Sequence, residues 1–160
     1  MEHEPPNLVP IAARAITEVL ATQLKLPAKE SGMVEWQSAD QSEQCLIGTV
    51  KLTGGRVSGD VHLELPEGFT AEVMARLLGP GVAQAGDGAD VTGELCNMLA
   101  GQVAADLGTA GYPSILSTPK VSRGRRLPPD IVPGAQICRS KWTCEGHLLT
   151  VTLEVIFRSI

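Results

Sequence analysis

The side chains best suited to chemistry lie on one predicted helix, and they are Asp90, Glu94 and Asn97. At about 100° per residue, these three and Gly101 fall within an arc of roughly 60° on one side of the helix. Glu94 offers a carboxylate there and Asn97 an amide. Little bulk surrounds them, so this side of the helix is open to the approach of another protein.

The same side of the helix is flat, because Gly101, Ala105 and Gly108 also fall on it. A solvent-exposed helix face ordinarily carries Lys, Glu and Arg, which form pairs between residues i and i+4. Asn97 is a mediocre helix former, and Gly93 and Gly101 each cost on the order of 1 kcal/mol relative to Ala. Such local departures from good helix-forming sequence tend to mark functional sites.

A purely structural interpretation of these residues stays open. Asp90 is a suitable N-cap, Glu94 favours the positive first turn of the helix, and Asn97 can be an ordinary surface residue. The opposite side of the helix has the composition of a core stripe. Its members are Leu95, Cys96, Leu99, Val103 and Leu107.

The remaining periodicity predicts the elements that must position this helix. The predicted helices span residues 8–25, 70–78 and 90–107, and the predicted strands span 45–65 as a hairpin, 114–122, and 135–142 with 148–157 as a second hairpin. Hairpins separated by helices indicate an α+β fold, with a mainly antiparallel sheet packed with helices. We expect a single domain over 1–160, in which residues 1–7 are flexible.

Helix boundaries follow from capping and breaking residues. Asn7 is the predicted N-cap of the first helix and Pro27 ends it. Thr70 is the predicted cap of the second helix, which Gly79 and Pro80 end. The loop over 79–88 contains glycines but no G-x-x-x-x-G-K motif, so it does not predict a phosphate-binding loop.

The cysteines and histidines do not predict a metal or thiol site. The cysteines lack C-x-x-C spacing and are predicted to be small buried hydrophobic residues. They are Cys45, Cys96, Cys138 and Cys144. His62 lies on the polar side of its strand and is predicted to be exposed, because no carboxylate or second histidine stands at a metal-ligand spacing. We therefore expect no metal on this chain.

Charge and composition restrict the partners. The net charge is −5 and only five residues are aromatic, which argues against binding to nucleic acid. Arg123, Arg125 and Arg126 are predicted to form a solvated Gly/Pro-rich loop, with an acidic partner surface as the alternative. No apolar run of membrane-spanning length and no targeting segment is apparent, so we expect a cytoplasmic protein that does not bind membranes.

The sequence DVTGELCNMLAG over residues 90–101 resembles the signature of the CheC/CheX/FliY phosphatases. In that family a proline follows further along the chain, and Pro119 corresponds to it. The preceding hairpin and the short helix ending in Leu-Leu-Gly are also similar to the family, and the resemblance covers most of residues 45–160. One motif is present, whereas CheC carries two and FliY has a rotor-like C-terminal domain. The CheX branch fits best.

The resemblance implies a phosphatase that hydrolyses the aspartyl-phosphate of a CheY-like response regulator. By similarity, Glu94 forms a salt bridge with the regulator's active-site lysine, and Asn97 positions the attacking water. The surrounding docking residues implied are Asp90, Met98, Gly101 and Ala105. The regulator holds Mg²⁺, so the chain itself needs no cofactor. A homodimer is also implied, and the long apolar C-terminal strands could supply a paired edge for it.

Three other functions remain as alternatives. A non-catalytic module of the same fold would bind response regulators or other signalling proteins without hydrolysis, and the presence of both Glu94 and Asn97 argues for the enzyme instead. A structural component of the flagellar switch is disfavoured by the lack of the rotor-like domain. An enzyme that uses the cysteines or a metal has no supporting residue spacing.

Overall fold

The fold was analysed in a computed structural model, which describes residues 4–33, 43–79, 81, 87–125 and 132–159. Three α-helices and seven strands lie in these ranges. In chain order they are α1 (Leu8–Val19), continued by a π-helical turn (Leu20–Leu24), β1 (Lys29–Met33), β2 (Gln44–Thr53), β3 (Val57–Pro66), α2 (Glu67–Leu78), α3 (Asp87–Thr109), β4 (Ile115–Leu116), β5 (Lys120–Arg125), β6 (Gln136–Cys144) and β7 (His147–Phe157).

The strands form one antiparallel sheet in the order β1-β6-β7-β3-β2-β4, and β5 also pairs with β2. This arrangement confirms the predicted α+β class and the predicted antiparallel sheet. It also corrects one expectation. Strand β7 lies between β6 and β3, and β6 also pairs with β1 at residues 140–143, so neither C-terminal strand is the outermost strand of the described sheet. The outer positions belong to β1 on one side and to β4 and β5 on the other.

The core lies between the helices and one face of the sheet. Alternation with a period of two places Val61 and Leu63 of β3 and Val151 and Leu153 of β7 on this face, and all four side chains are buried. The three helices contribute to the same apolar cluster. No helix in the described ranges has the length and apolarity that a bilayer crossing requires.

Helix α1 begins as its sequence predicts. The Asn7 side chain accepts a hydrogen bond from the Val9 backbone N–H at 3.0 Å, as an N-cap does. At the other end the helix widens into a π-helical turn. Lys25 then adopts a left-handed conformation at φ 54°, two residues before Pro27. The predicted helix over 8–25 is therefore confirmed, with a change of helix type in its last turn.

Both predicted caps of the later helices are wrong, because α2 and α3 each begin three residues earlier than expected. Thr70 lies inside α2, where its hydroxyl donates a hydrogen bond to the Glu67 carbonyl at 2.8 Å instead of capping the helix. Asp90 is the fourth residue of α3 and therefore not its N-cap. Gly79 ends α2 as predicted, at φ 92°, and Pro80 lies outside the described residues.

The region after α3 also differs from its prediction. The single strand expected over 114–122 is two short strands, β4 and β5, which are separated by a segment containing Pro119. Arg123 and Arg125 belong to β5 and not to a loop, and Arg126 lies outside the described residues. Strand β1 was not predicted. It is an edge strand with the sequence KESGM, which lacks the apolar alternation that indicates a strand.

Helix α3 packs unusually close to the sheet at Gly48 of β2. A Cβ atom at Gly48 would lie 2.8 Å from the Cβ of Cys96 and 3.4 Å from the Thr92 carbonyl oxygen. Carbon atoms do not approach so closely without displacement, so glycine at this position is what allows the helix to reach the sheet. The Cys96 thiol lies on the same surface and donates a hydrogen bond to the Val61 carbonyl at 3.8 Å.

We predict that Gly48→Ala lowers the free energy of unfolding by about 1–3 kcal/mol, because the added methyl group pushes α3 away from β2. Gly101→Ala is the matched control. A Cβ there meets no atom within 4 Å, and the higher helix propensity of alanine should raise stability by up to about 1 kcal/mol. Urea denaturation followed by circular dichroism measures both changes. Equal stability of the Gly48→Ala variant and the unmodified protein would contradict the proposed packing constraint.

Candidate functional site

Helix α3 is divided lengthwise into a buried and an accessible side. Every member of the predicted core stripe is buried, with exposed fractions between 0 and 4%. The accessible side carries Asp90, Glu94, Asn97 and Ala105, all exposed. Met98 is partly buried and packs against the core. The predicted division of the helix is thus confirmed, and the carboxylate and the amide project from the accessible side.

A groove runs beside Glu94 and Asn97, between α3 and the segment that leads into β5. It is lined by Ala89, Asp90, Gly93, Glu94, Asn97, Pro119 and Val121. The structure therefore brings Pro119 into the same groove as the helix residues, although it is distant from them in sequence. The signature residues and the proline form one continuous surface.

Two of the four glycines of α3, Gly93 and Gly101, have different structural roles. A Cβ on Gly93 would lie 3.3 Å from Val121 Cγ2 and 3.7 Å from Pro119 Cγ, so Gly93 allows the β5 segment to pack against α3. A Cβ on Gly101 would meet no atom within 4 Å. Packing within the chain thus accounts for the glycine at 93. It does not account for the glycine at 101. The absence of a side chain at Gly101 leaves the surface beyond Asn97 flat.

A second groove lies on the other side of Glu94. It is lined by Gln23, Leu24, Leu77, Val91, Glu94, Leu95 and Met98. Leu77 has an exposed fraction of 56%, which is high for a leucine. The sequence did not predict this groove, because its lining comes from the π-helical turn, α2 and α3. The two adjacent leucines at the end of α2, Leu77 and Leu78, are both exposed, and they are the sequence feature that could have indicated this groove.

The charges around the site leave Glu94 available. No ion pair involves Glu94 within the part of the chain that the structure describes. Arg123, one of the predicted arginine group, pairs with another carboxylate, and its Nε lies 2.9 Å from Glu67 Oε1. The Glu94 carboxylate can therefore accept a cationic group from another molecule without breaking an existing pair.

The cysteines are not a chemical site. All four are buried and none forms a disulfide. Burial raises the pKa of Cys96 to about 12, and burial also raises the pKa of Cys138 and of Cys144, with smaller contributions from Glu30 and Glu145 respectively. Because the thiolate is the reactive form, these thiols are suited to packing and not to nucleophilic chemistry. The prediction of buried cysteines is confirmed.

The prediction for His62 is wrong. Its side chain is only 24% exposed, and its Nε2 lies 3.9 Å from Glu154 Oε2. Asp60 completes a group in which one potential ligand atom from each residue lies within 4.8 Å of the others. The sequence did not indicate this group, because Glu154 comes from β7, far along the chain. These residues lie on the sheet face opposite α3, away from the two grooves.

Comparison with known proteins finds relatives by sequence and by fold. The family model described as "Chemotaxis phosphatase CheX" matches residues 46–131, which is just over half of the chain and includes Glu94, Asn97 and Pro119. No protein of curated function matches the sequence.

Solved structures share the fold across nearly the whole chain. The chemotaxis protein CheX from Vibrio vulnificus has a TM-score of 0.78 and 18% identity, covering 96% of this chain and 99% of that one. CheX from Desulfovibrio desulfuricans has a TM-score of 0.74 and 20% identity, covering 91% and 97%. The CheX-CheY-BeF3-Mg²⁺ complex from Borrelia burgdorferi has a TM-score of 0.70 and 14% identity, covering 94% of this chain and 98% of that one. At these identities the similarity establishes the fold.

The raised thiol pKa values predict slow cysteine chemistry. At pH 8, Cys96 of the native protein should react with a thiol reagent at least about 100 times more slowly than a free thiol, because little thiolate forms below its pKa of about 12. The same reagent should titrate all four cysteines in urea. Reaction is followed by absorbance or by mass spectrometry. Rapid labelling of Cys96 in the folded protein would contradict the assignment of this thiol to the core.

Proposed function

We propose that this chain, which belongs to the chemotaxis phosphatase CheX family, hydrolyses the aspartyl-phosphate of a CheY-like response regulator with Glu94 and Asn97. The observation that carries the proposal is the shared groove of Glu94, Asn97 and Pro119 on the accessible side of α3. A carboxylate and an amide lie one helical turn apart on a rigid element. The surface around them is open enough for a protein partner.

Glu94 is the proposed docking residue. It is exposed, lines both grooves, and takes part in no ion pair within the described residues. A receiver domain places a lysine beside its phosphoaspartate, and the resemblance pairs Glu94 with that lysine. Such a pair, once shielded from water at the interface, contributes to both orientation and affinity. It would hold Asn97 at the phosphoryl group.

Asn97 is the proposed catalytic residue. Hydrolysis of a phosphoryl group depends mainly on placement of the water and on charge stabilisation, and small GTPases use a glutamine to orient the water. An asparagine amide can accept a hydrogen bond from the water and donate one to a phosphoryl oxygen. The Mg²⁺ that neutralises the phosphoryl charge would be held by the regulator, and we propose no cofactor on the α3 surface.

The flat part of α3 is the proposed contact surface for the regulator. Gly101 and Ala105 leave space beyond Asn97, while Met98 and Asp90 flank the pair of functional residues. A large side chain at either small position would hold the partner away from Asn97. The groove lined by Leu24 and Leu77 would extend the contact surface on the other side of Glu94.

We also propose that the chain acts in the cytoplasm as a homodimer without nucleic-acid or membrane partners. The dimer follows from the family resemblance, and β7 does not supply an edge for it, because that strand lies between β3 and β6 in the sheet. The net charge of −5 disfavours contact with a phosphate backbone.

We predict that Asn97→Ala reduces the stimulated dephosphorylation of a cognate receiver domain by about 100-fold, because the attacking water loses its positioning group. The fold should be retained, since alanine is the better helix former. Decay of the acyl-phosphate with and without the protein measures the rate. Asn97→Asp is an isosteric second variant, and it should also be inactive because its negative charge faces the phosphoryl group.

The control for this experiment is Glu18→Ala, which removes an exposed helical side chain that lines neither groove. It should retain full activity. Full activity of Asn97→Ala would overturn the catalytic role. If the unmodified protein binds the phosphorylated receiver domain without accelerating its decay, the chain is instead the non-catalytic regulator-binding module.

We predict that Glu94→Ala weakens binding to the phosphorylated receiver domain by about tenfold or more, because the interfacial ion pair is lost. Activity at saturating protein should fall less than in Asn97→Ala. Glu94→Gln keeps the shape and removes the charge, so similar losses in both variants would identify the charge as the cause. Titration by fluorescence anisotropy measures affinity. An affinity unchanged in both variants would exclude the docking role.

A further inference from the structure

The sheet face opposite the helices carries a second group of polar residues, and we propose that Asp60, His62 and Glu154 bind one divalent transition-metal ion there. Asp60 and His62 lie two residues apart on β3 and so project from the same face. Asp60 is also the direct cross-strand partner of Glu154 on β7. Three potential ligands from two adjacent strands therefore converge at one point.

The imidazole of His62 is held in the orientation that a metal ligand needs. Its Nδ1 lies 2.9 Å from the hydroxyl oxygen of Thr49, the residue directly opposite on β2. With Nδ1–H donating to this hydroxyl, the lone pair of Nε2 faces Glu154. Metal-bound histidines are usually fixed by a hydrogen bond at the second ring nitrogen in this way.

The spacing of the ligand atoms suits an ion between them. Nε2 of His62 lies 3.9 Å from Glu154 Oε2, which is too long for a hydrogen bond. Two metal–ligand bonds of about 2.1 Å, meeting at a tetrahedral or wider angle, span roughly 3.4–3.9 Å. The ligand atoms of all three residues lie within 4.8 Å of one another, so small side-chain rotations would close the site.

The two negative charges of Asp60 and Glu154 also suit a bound cation, and Glu154 has a further interaction within the chain. Two carboxylates directly opposite on neighbouring strands repel each other and destabilise the sheet. Lys51 stands opposite Asp60 on β2, but it is exposed and forms no ion pair with Asp60 in the described part of the chain. A bound divalent ion would replace this repulsion by attraction and would connect β3 to β7.

The donor set selects the class of metal. One imidazole and two carboxylates suit Zn²⁺ and, more weakly, Mn²⁺, whereas Mg²⁺ and Ca²⁺ prefer sites made entirely of oxygen. The side chains of His62 and Glu154 are 24% and 12% exposed, so the site is sheltered but reachable from solvent. Three protein ligands leave a position for water. Because α3 packs on the opposite face, the site is independent of Glu94 and Asn97.

Metal binding is tested on the untagged full-length chain after dialysis against a chelator. Calorimetric titration with ZnCl2 should give one ion per chain at this site. At a free Zn²⁺ concentration about 100 times the dissociation constant, the unfolding midpoint should rise by roughly 5–10 °C. His62→Asn and Asp60→Asn should each weaken binding at least tenfold, which reduces this shift to about half or less at the same Zn²⁺ concentration. His147→Asn is the matched control and should leave both unchanged, because that histidine pairs with Glu72 elsewhere.

The Asp60→Asn variant keeps the test decisive if His62→Asn fails to fold. Without metal it should unfold at the same temperature as the unmodified protein or higher, because one of two repelling carboxylates is removed. A response to Zn²⁺ that falls to about half or less in this stable variant supports the site. Absence of a Zn²⁺ shift in the unmodified protein, or an unchanged shift in Asp60→Asn, overturns it and leaves the three residues as polar neighbours on the sheet. The dephosphorylation assay tests the other face separately.

Discussion

The close contact between α3 and β2 is the constraint on which the candidate site depends. Gly48 lets the helix approach until Cys96 reaches the sheet, and Gly93 lets the β5 segment pack beside the helix. These two contacts restrict the distance between α3 and the sheet and the rotation of the helix about its own axis. The side chains of Glu94 and Asn97 therefore have a direction that packing decides, which is a requirement for any residue that must position a water molecule.

The grooves on either side of Glu94 connect this packing to function. One groove combines the signature residues with Pro119, and the other combines α3 with the ends of two earlier helical elements. Membership of the CheX family indicates a chemotaxis phosphatase in general terms. Glu94 and Asn97, both exposed on α3, are the residues that we propose for the reaction. Phosphoryl transfer depends mainly on placement of the reacting groups and on charge stabilisation. A rigid helix that presents these two side chains could therefore carry out the proposed hydrolysis.

The two faces of the sheet differ in how far they could be predicted. The apolar face follows from alternation, and Val61, Leu63 and Leu153 are buried as their periodicity predicts. On the polar face His62 was expected to be exposed, yet its side chain is only 24% exposed, and Thr150 and Thr152 on the same face are buried. Alternation shows which residues share a face, but it does not show which side chains of neighbouring strands meet. The grouping of Asp60, His62 and Glu154 depends on the pairing of β3 with β7, and only the register reveals it.

The sequence by itself determined the fold class, the core stripe of α3 and the helix face that carries Glu94 and Asn97, because helical and strand periodicities are local properties of the chain. It did not determine where α2 and α3 begin, since Thr70 and Asp90 are good caps that lie inside longer helices. Tertiary structure alone decided that Pro119 lines the same groove as Glu94. That groove joins residues distant in sequence, and it forms only when β5 pairs with β2 and its segment packs against Gly93.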